Sequence, residues 1–261
     1  EMVEGIPFLD NGFLSFSQED YEDFINKEPE AKKWIKESVT GQSFINNEKR
    51  YCLWLVGISP SDLRRMPLVM DLVRKVKSFR LSSNYSKKFA DTPWLFRETV
   101  IAKQFILVPK TSSENRNYLP MGFITDKIAS NTSLMIPSAS IYHFGILNSQ
   151  MHMTWMRYVA GRLKSDYRYS KDIVYNNFPW PNPLEDQKLQ IEFASQKILE
   201  VRNQFSNIAL ADLYNLLTMP PELLSAHREL DGAVDMAYRS ETFEGDDDRI
   251  KFLFELYKKI S

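Results

Sequence analysis

Apolar side chains recur at intervals of three and four residues in six stretches of the chain, which is the spacing of one helix face. Ser17 is a good N-cap for the first stretch, and Pro220-Pro221 interrupts the fifth. The stretches predicted to be helical are residues 17–38, 67–81, 148–160, 185–205, 209–230 and 246–260. The inward face of the second is expected to carry Leu68, Leu72, Val76 and Phe79, and that of the fourth Leu189, Phe193, Ile198, Val201 and Phe205.

Short apolar runs bounded by turn residues predict β-strands between these helices. The predicted strands are residues 43–45, 50–56, 99–109, 118–125 and a short run before Pro137. Asn46-Asn47 separates the first two runs and favours a β-hairpin there. We expect the later strands to form one sheet or a partly open barrel. The pattern thus predicts an α+β domain over residues 1–183, followed by a helical subdomain over residues 184–261.

The composition is that of an ordinary globular protein, with 43% hydrophobic and 26% charged residues among 261. No apolar run reaches the length that spans a bilayer, and the single cysteine, Cys52, has no second cysteine to pair with. We therefore expect a cytoplasmic protein without a membrane partner. Because the chain begins at Glu1 rather than Met, we also expect it to be a piece of a longer polypeptide.

The net charge of −1 conceals three regions of different sign. Residues 39–183 contain 20 Lys and Arg against 9 Asp and Glu, a net charge of +11. Residues 1–38 and residues 184–261 each have a net charge of −6. A basic middle region is typical of proteins that bind a polyanion such as DNA, although a solvated basic surface has the same composition.

No catalytic or metal-binding constellation is predicted from the residue types. His143, His152 and His227 have no Cys, Asp or Glu partner at metal-ligand spacing. Glu30 and Lys32 are similar to the Glu-x-Lys element of metal-dependent nucleases, but ion pairs on an exposed helix face account for them far better.

Basic side chains follow the outer face of the helix predicted over residues 67–81 and continue just beyond it. Such a helix can lie along a phosphate backbone, although an ordinary solvated helix has the same pattern. The residues expected to contact phosphates are Arg74, Lys75, Arg80, Lys87 and Lys88, together with Arg162 in a later segment.

Charged residues alternate with other types over residues 162–168, just before the aromatic and proline run Phe178-Pro179-Trp180-Pro181. If this stretch is extended, Arg162, Lys164, Asp166 and Arg168 share one face, and Leu163, Ser165, Tyr167 and Tyr169 share the other. Lys and Arg donate to guanine O6 and N7, and Asp accepts from cytosine N4. Lys164 and Asp166 are therefore predicted to read one G·C pair, with a screened set of surface charges as the alternative.

Two polar segments lie next to predicted strands, where binding residues concentrate. The first, residues 110–117, contains Arg116, which is a candidate base-reading residue. The second, residues 130–133, contains Asn131 and Thr132. A plain hairpin loop is the alternative for the first segment.

The segment GRLKSDYRYSKDIVYNNFPWP, residues 161–181, resembles part of the target-recognition domain of MmeI-like DNA methyltransferases, which are single-chain type IIL or IIG restriction–modification enzymes. Residues 50–55 and residues 112–120 resemble two further segments of that domain, and the helical tail resembles the C-terminal part of the family. The resemblance implies that Lys164 and Asp166 form a base-reading pair and that Arg168 is a third reader. It also implies a reading role for Asn131 and Thr132, and double-stranded DNA as the partner.

Two motifs of the family's catalytic part are missing from the sequence. Asn182-Pro183-Leu184 is not the Asn-Pro-Pro-aromatic motif, and no Gly-x-Gly is present for S-adenosylmethionine. We therefore expect no catalytic residues and no cofactor in this chain, which would direct adenine N6 methylation, and linked cleavage, by a methyltransferase domain of the same polypeptide. That domain is expected to bind the S-adenosylmethionine. The alternatives are a protein-interaction module with a basic docking face, or a metal-dependent nuclease that uses Glu30 and Lys32.

Overall fold

The structure of the protein is a computed structural model that describes residues 1–260. Its strands are Val3–Glu4 (β1), Ser15–Ser17 (β2), Ile35–Val39 (β3), Arg50–Leu53 (β4), Gln104–Pro109 (β5), Thr111–Ser112 (β6), Gly122–Thr125 (β7), Ile128–Ala129 (β8), Ser133–Pro137 (β9), Gly161–Leu163 (β10) and Asp166–Arg168 (β11). Its α-helices are Gln18–Lys27 (α1), Gly41–Ile45 (α2), Pro60–Arg64 (α3), Pro67–Leu81 (α4), Ile141–Leu147 (α5), Gln150–Val159 (α6), Glu185–Gln204 (α7), Leu210–Leu213 (α8), Pro221–Tyr238 (α9) and Asp246–Ile260 (α10). None of the helices described in this range has the length and apolar character needed to cross a membrane.

The strands form three small sheets. The strands predicted at residues 99–109, at residues 118–125 and before Pro137 are β5, β7 and β9, which all lie in the first sheet, so the expectation of one sheet for them is confirmed. The first sheet has the antiparallel order β1-β9-β5-β7, and the second has the order β2-β4-β3-β8, in which β3 and β8 are parallel. The third sheet has the order β10-β11-β6. The chain passes from the first sheet to the third at Lys110, since β5 ends at Pro109 and β6 begins at Thr111. The predicted α+β class is confirmed.

Two large hydrophobic cores support these sheets. The first packs β2 and β4 against α4 and contains Leu14, Leu53, Met66, Val69 and Val76. The second packs β5 and β9 against the later helices and contains Ile106, Trp155, Ile198, Leu230 and Leu253. The second core takes residues from both sides of position 183, so the domain boundary there remains a prediction.

The first predicted helix is correct at its start and wrong at its end. Ser17 caps α1 through a capping box with Asp20, as its position in the sequence suggested. The helix ends at Lys27 because Pro29 cannot continue the α-helical hydrogen bonding. A 3₁₀ turn, Pro29–Trp34, and strand β3 replace the remainder of the predicted helix.

The predicted hairpin over residues 43–56 does not form. Thr40 caps a short helix, α2, because its hydroxyl accepts from the Ser43 backbone N–H, and the Ser43 hydroxyl accepts from the Thr40 backbone N–H. This local capping box outcompetes the strand preference of the apolar residues at positions 44 and 45. Strand β4 pairs instead with β2 and β3.

Helix α4 begins and ends where the pattern predicts, but its buried face is turned relative to the expected one. Val69, Val73 and Val76 are buried, whereas Leu68 is exposed. The buried carboxylate of Glu28 accepts from Val69 N at 2.8 Å and so satisfies a free N–H in the first turn of α4.

Helix α7 confirms the fourth predicted helix, yet part of its expected apolar stripe is on the surface. Ile198 and Val201 are buried as expected. Leu189 is exposed and Phe193 is 71% exposed, and both line an open groove between α7 and α9. Helix α7 packs closely against α5, and the sequence pattern did not predict this contact. The helices approach at Gly145, where an added Cβ atom would lie 2.1 Å from the Ser195 hydroxyl.

The remaining predicted helices form, and they differ from the predictions mainly at their ends. Helix α6 is capped by Ser149, and α10 spans the last predicted helix. The break predicted at Pro220-Pro221 within residues 209–230 is confirmed, whereas the second part extends beyond the predicted end. A single turn, α8, precedes the two prolines, and α9 starts at Pro221 and continues to Tyr238.

Candidate nucleic-acid interface

Residues 161–168 form a tight β-hairpin rather than one continuous extended strand. The pairs across the hairpin are Gly161 with Arg168, Arg162 with Tyr167, and Leu163 with Asp166. Lys164 and Ser165 are left as the two-residue loop. Lys164 has a φ of 56°, in the left-handed region that two-residue hairpin loops require and that a lysine adopts only at a cost. The tip of the hairpin is therefore Lys164, with an exposed side chain.

The turn changes which side chains share a face. Directly paired residues of an antiparallel ladder project to the same side, so Arg162 lies with Tyr167, and Leu163 lies with Asp166. The expected grouping of Arg162 with Asp166 and Arg168 is wrong because it assumed uninterrupted alternation. The Arg162 guanidinium lies 3.7 Å from the Tyr167 ring centroid and donates to the Ser165 carbonyl at 3.0 Å.

Buried tyrosines attach the hairpin to the rest of the molecule. Tyr167 is buried, and Tyr169, just after β11, is 3% exposed. The Tyr169 backbone N–H donates to the Lys110 carbonyl at 2.8 Å, and its hydroxyl lies 2.9 Å from His152 Nε2. Burial lowers the pKa of His152 to about 3, so this imidazole is neutral at pH 7.

The aromatic and proline run after the hairpin completes this support. The Phe178 ring packs edge-on against His152, with centroids 4.6 Å apart. Trp155 Nε1 donates to the Val174 carbonyl at 3.0 Å, and the Tyr238 hydroxyl donates to the Pro179 carbonyl at 2.9 Å. Residues 174–179 are thus held by α6 and α9, and the hairpin projects from a fixed base.

Three polar segments that are distant in sequence meet around Lys110. Strand β6 pairs with β11, with Thr111 opposite Arg168, so the polar segment 110–117 starts beside the hairpin. The Lys110 backbone N–H donates to the Thr132 carbonyl at 3.4 Å, which joins the segment 130–133 to the same place. The residues predicted to read bases therefore come from segments that adjoin at Lys110.

Arg116 lies within the electrostatic reach of the hairpin. Burial lowers the pKa of its guanidinium, and the carboxylates of Asp166 and Asp212 act in the opposite direction. Arg168 is exposed, whereas Arg116 and Asp166 are half-buried. Arg116 and Asp166, which come from different sequence segments, thus interact electrostatically.

Asn131 and Thr132 are both exposed, but their hydrogen-bonding capacity differs. The Thr132 hydroxyl lies 2.8 Å from the Ser130 hydroxyl and accepts from Gly41 N at 3.4 Å. The Asn131 backbone N–H donates to Ile6 O at 3.1 Å, while its side chain is exposed. Asn131 is therefore the freer of the two for an outside partner.

The fold and this surface have close counterparts among known proteins. The family model of the MmeI target recognition domain matches residues 1–182, and that of the MmeI C-terminal domain matches residues 184–261. The chain belongs to the MmeI family. The resemblance noticed in the hairpin segment is thereby confirmed.

Two relatives of the MmeI family are similar over nearly the whole chain. DNA methyltransferase A of Bacillus subtilis (strain 168) is 44% identical over 256 residues, which cover 97% of this chain and 29% of that protein. The structure of the type IIL restriction-modification enzyme MmeI in complex with DNA has a TM-score of 0.96 and 44% identity, covering 100% of this chain and 35% of that chain. The chain therefore corresponds to a minor part of each relative's length.

The predicted phosphate contacts of this MmeI-family chain are divided between exposed and buried positions. Arg74 and Lys75 are exposed on α4, where Lys75 pairs with Asp71 at 2.7 Å. Lys87 and Lys88 are exposed on the 3₁₀ turn Lys87–Phe89 that follows α4. These four residues remain predicted phosphate contacts, as does the exposed Arg162.

Arg80 does not fit a phosphate contact, which corrects the prediction from sequence. Its side chain lies on the buried face of α4 and is 1% exposed. The guanidinium donates to five backbone carbonyl oxygens at 2.8–3.2 Å, those of Phe8, Leu9, Phe89, Thr92 and Leu95. Arg80 thus joins the N-terminal segment to the loop after α4, and its donors are occupied.

Glu30 and Lys32 are exposed on the 3₁₀ turn that follows α1. Within residues 1–260, no group of three or more His, Cys, Asp or Glu side chains is arranged to hold a metal ion. Of the histidines, His152 and His227 are fully buried in the second core, where His227 stacks on Tyr118 with centroids 3.9 Å apart.

Sequence reasoning missed the contribution of the C-terminal domain to this surface. Asp212, in α8, acts on the Arg116 guanidinium, and the Leu216 backbone N–H donates to the Asn115 carbonyl at 3.4 Å. The loop after α8 thus touches the polar segment 110–117. Neither contact has a signal in the local sequence pattern, because both depend on how α8 packs.

Proposed function

We propose that this chain reads duplex DNA for a type IIL restriction–modification enzyme and directs adenine N6 methylation, and linked cleavage, by other parts of the same polypeptide. The proposal is supported by the similarity to MmeI, whose structure is a complex with DNA, and to a protein named DNA methyltransferase A. S-adenosylmethionine would be bound by the methyltransferase part and not by this chain.

The observation that carries the proposal is the projecting hairpin with Lys164 at its tip. The side chains of Lys164 and Arg168 are exposed, while Tyr167 and Tyr169 on the opposite side are buried. A two-stranded ribbon is narrow enough to enter the major groove, which is wide enough for such an element. A fixed base limits the conformational entropy that the hairpin loses on binding.

The side chains on this surface have the donors and acceptors needed for base reading. Lys164 donates to guanine O6 or N7, and Asp166 accepts from cytosine N4. Arg168 and Arg116 add donors for a neighbouring base pair, and the Asn131 amide can both donate and accept. Thr132 is a weaker reader because its hydroxyl already has partners within the chain.

Exposed basic residues on and after α4, together with Arg162 of the hairpin, supply binding without sequence preference. Each phosphate contact releases a counterion and makes the affinity depend on salt concentration. We assign this role to Arg74, Lys75, Lys87, Lys88 and Arg162.

The decisive experiment is a binding-site selection from random duplexes with the full-length protein and its Lys164→Ala variant. We expect the wild type to select one sequence and the variant to relax a single base pair of it, at a cost of about 1–3 kcal/mol on the selected site. Lys251→Ala, which removes an exposed lysine from α10, serves as the matched control and should leave the selected sequence unchanged.

Two other outcomes would contradict the proposal in different ways. An unchanged selection by Lys164→Ala would show that the hairpin is not the reader. Wild-type binding to heparin as tight as to any duplex at physiological salt would favour the protein-docking alternative.

Sequencing of N6-methyladenine in DNA from cells that produce the full-length protein tests the methylation step, and methylation confined to the selected sequence is expected.

A further inference from the structure

The loop between α8 and α9 presents two adjacent leucines to solvent beside the predicted reading surface. Leu217 is 94% exposed and Leu216 is 50% exposed. Single exposed apolar residues are common on protein surfaces. Two adjacent exposed leucines in one loop are less ordinary. A single partner can remove both side chains from water together.

The loop that carries these leucines is held in place by its own hydrogen bonds. Leu217 N donates to the Asn215 side-chain oxygen at 2.9 Å, and Met219 N donates to the Asn215 carbonyl at 2.9 Å. The Thr218 hydroxyl donates to the Asp212 carbonyl. The residue before the loop, Tyr214, is buried, with its hydroxyl 2.6 Å from Arg202 Nε. Leu217 is therefore presented by a braced turn.

The position of the loop indicates which partner would cover it. Leu216 N donates to the Asn115 carbonyl, next to the candidate reader Arg116. Asp212, in α8 just before the loop, acts on the Arg116 guanidinium together with Asp166 of the hairpin. The leucine tip is thus continuous with the surface that would meet the bases.

We propose that Leu217 is an apolar DNA contact that enters a groove of the duplex beside the bases read by the hairpin. This inference rests on the proposed function. Leucine is among the side chains that DNA-binding proteins insert against bases, and it carries no charge that phosphates would repel. The Asp212 carboxylate at the base of the loop is balanced by Arg116, which reduces its repulsion of the duplex.

The test compares the affinity of full-length wild type and variants for the duplex recovered by wild-type selection, over a series of salt concentrations. We expect Leu217→Ala to bind about 10-fold more weakly, equivalent to 1.4 kcal/mol, with the same salt dependence as the wild type. Leu217→Met should restore wild-type affinity to within about twofold, because it conserves apolar volume. Leu189→Ala, at an exposed leucine in the groove between α7 and α9, should bind like the wild type.

The possible failures can be told apart. If the wild type binds with sequence preference and Leu217→Ala binds equally well, the leucine contact is wrong, the leucine tip would serve a protein partner, and the proposed function stands. If Leu217→Ala weakens binding through an altered salt slope, the residue acts on phosphate contacts and not in a groove. If the wild type itself shows no sequence preference, the proposed function and this inference fail together.

Discussion

Helix α4 and the hairpin of β10 and β11 both place charged residues between apolar or aromatic ones, yet the two regions treat their basic residues differently. On α4 the helical rotation directs Arg74 and Lys75 outward and Arg80 inward, where it donates to five carbonyl oxygens. On the hairpin, Lys164 and Arg168 are exposed. An arginine in a basic run can therefore have a structural role when backbone carbonyl groups without other donors surround it.

The two regions also differ in what holds them. Burial lowers the pKa of Arg80, but a guanidinium does not lose its proton in proteins, so Arg80 retains its charge at physiological pH. The hairpin depends instead on the neutral imidazole of His152, which meets the Tyr169 hydroxyl in the second core. The hairpin support is therefore sensitive to acid, whereas the Arg80 bonds are not.

The largest expected effect is on Arg80, and it would show whether this arginine is structural. Arg80→Met should lower the free energy of unfolding by about 3 kcal/mol or more, because five buried carbonyl oxygens lose their donor. Urea denaturation measures the change. Arg74→Met, on the exposed face of the same helix, is the matched control and should change stability by less than about 0.5 kcal/mol. Equal stability of both variants would remove the distinction between the two faces.

A second experiment tests the acid sensitivity of the hairpin support. The folded-state pKa of His152, about 3, lies below its ordinary value of 6.5, so its contribution to stability is present above pH 6.5 and is lost as the pH falls toward 3. Between pH 8 and pH 5, this histidine should cost the wild type about 2 kcal/mol of unfolding free energy. His152→Gln should lose correspondingly less over that interval, as measured by urea denaturation at both pH values.

The control for this pH experiment is His143→Gln, since His143 is only half-buried. We expect that variant to lose nearly as much stability as the wild type on acidification. A pH dependence of His152→Gln indistinguishable from that of the wild type would mean that the buried imidazole does not set the acid response.

The smallest expected effect concerns the exposed face of α4. Lys75→Ala in the full-length protein should weaken binding to all duplexes alike and reduce the slope of log affinity against log salt by about 1. Its ion pair with Asp71 is on the surface, so folding stability should change by less than about 1 kcal/mol. A loss confined to one DNA sequence would assign Lys75 to reading and would erase the contrast with the hairpin.

Much of the fold follows from local sequence patterns. The periodicity predicted α4, α6, α7 and α10, and Ser17 and Ser149 mark helix starts by their capping chemistry. Errors occurred where two local preferences compete. Residues 43–45 have the apolar character of a strand, but the capping box of Thr40 and Ser43 makes them helical.

The candidate site was predictable from sequence only where the local residue types were sufficient. The residue types of Lys164, Asp166 and Arg168 indicate base reading wherever the chain presents them, and the family resemblance selects the same positions. The face of Arg162 was not predictable by alternation, because the reversal at Lys164 and Ser165 exchanges the sides of the ribbon. Expected burial of Leu189 and Phe193 failed because α5 covers a different face of α7.

The sequence by itself determined the α+β class, the principal helices and the chemical character of the hairpin, since each depends on residues a few positions apart. Only the tertiary structure decided that Arg80 is buried, that Arg116 lies near Asp166, and that the loop carrying Leu217 touches the reading surface. Those facts depend on contacts between segments far apart in the chain, and packing of the whole core, not local propensity, sets such contacts.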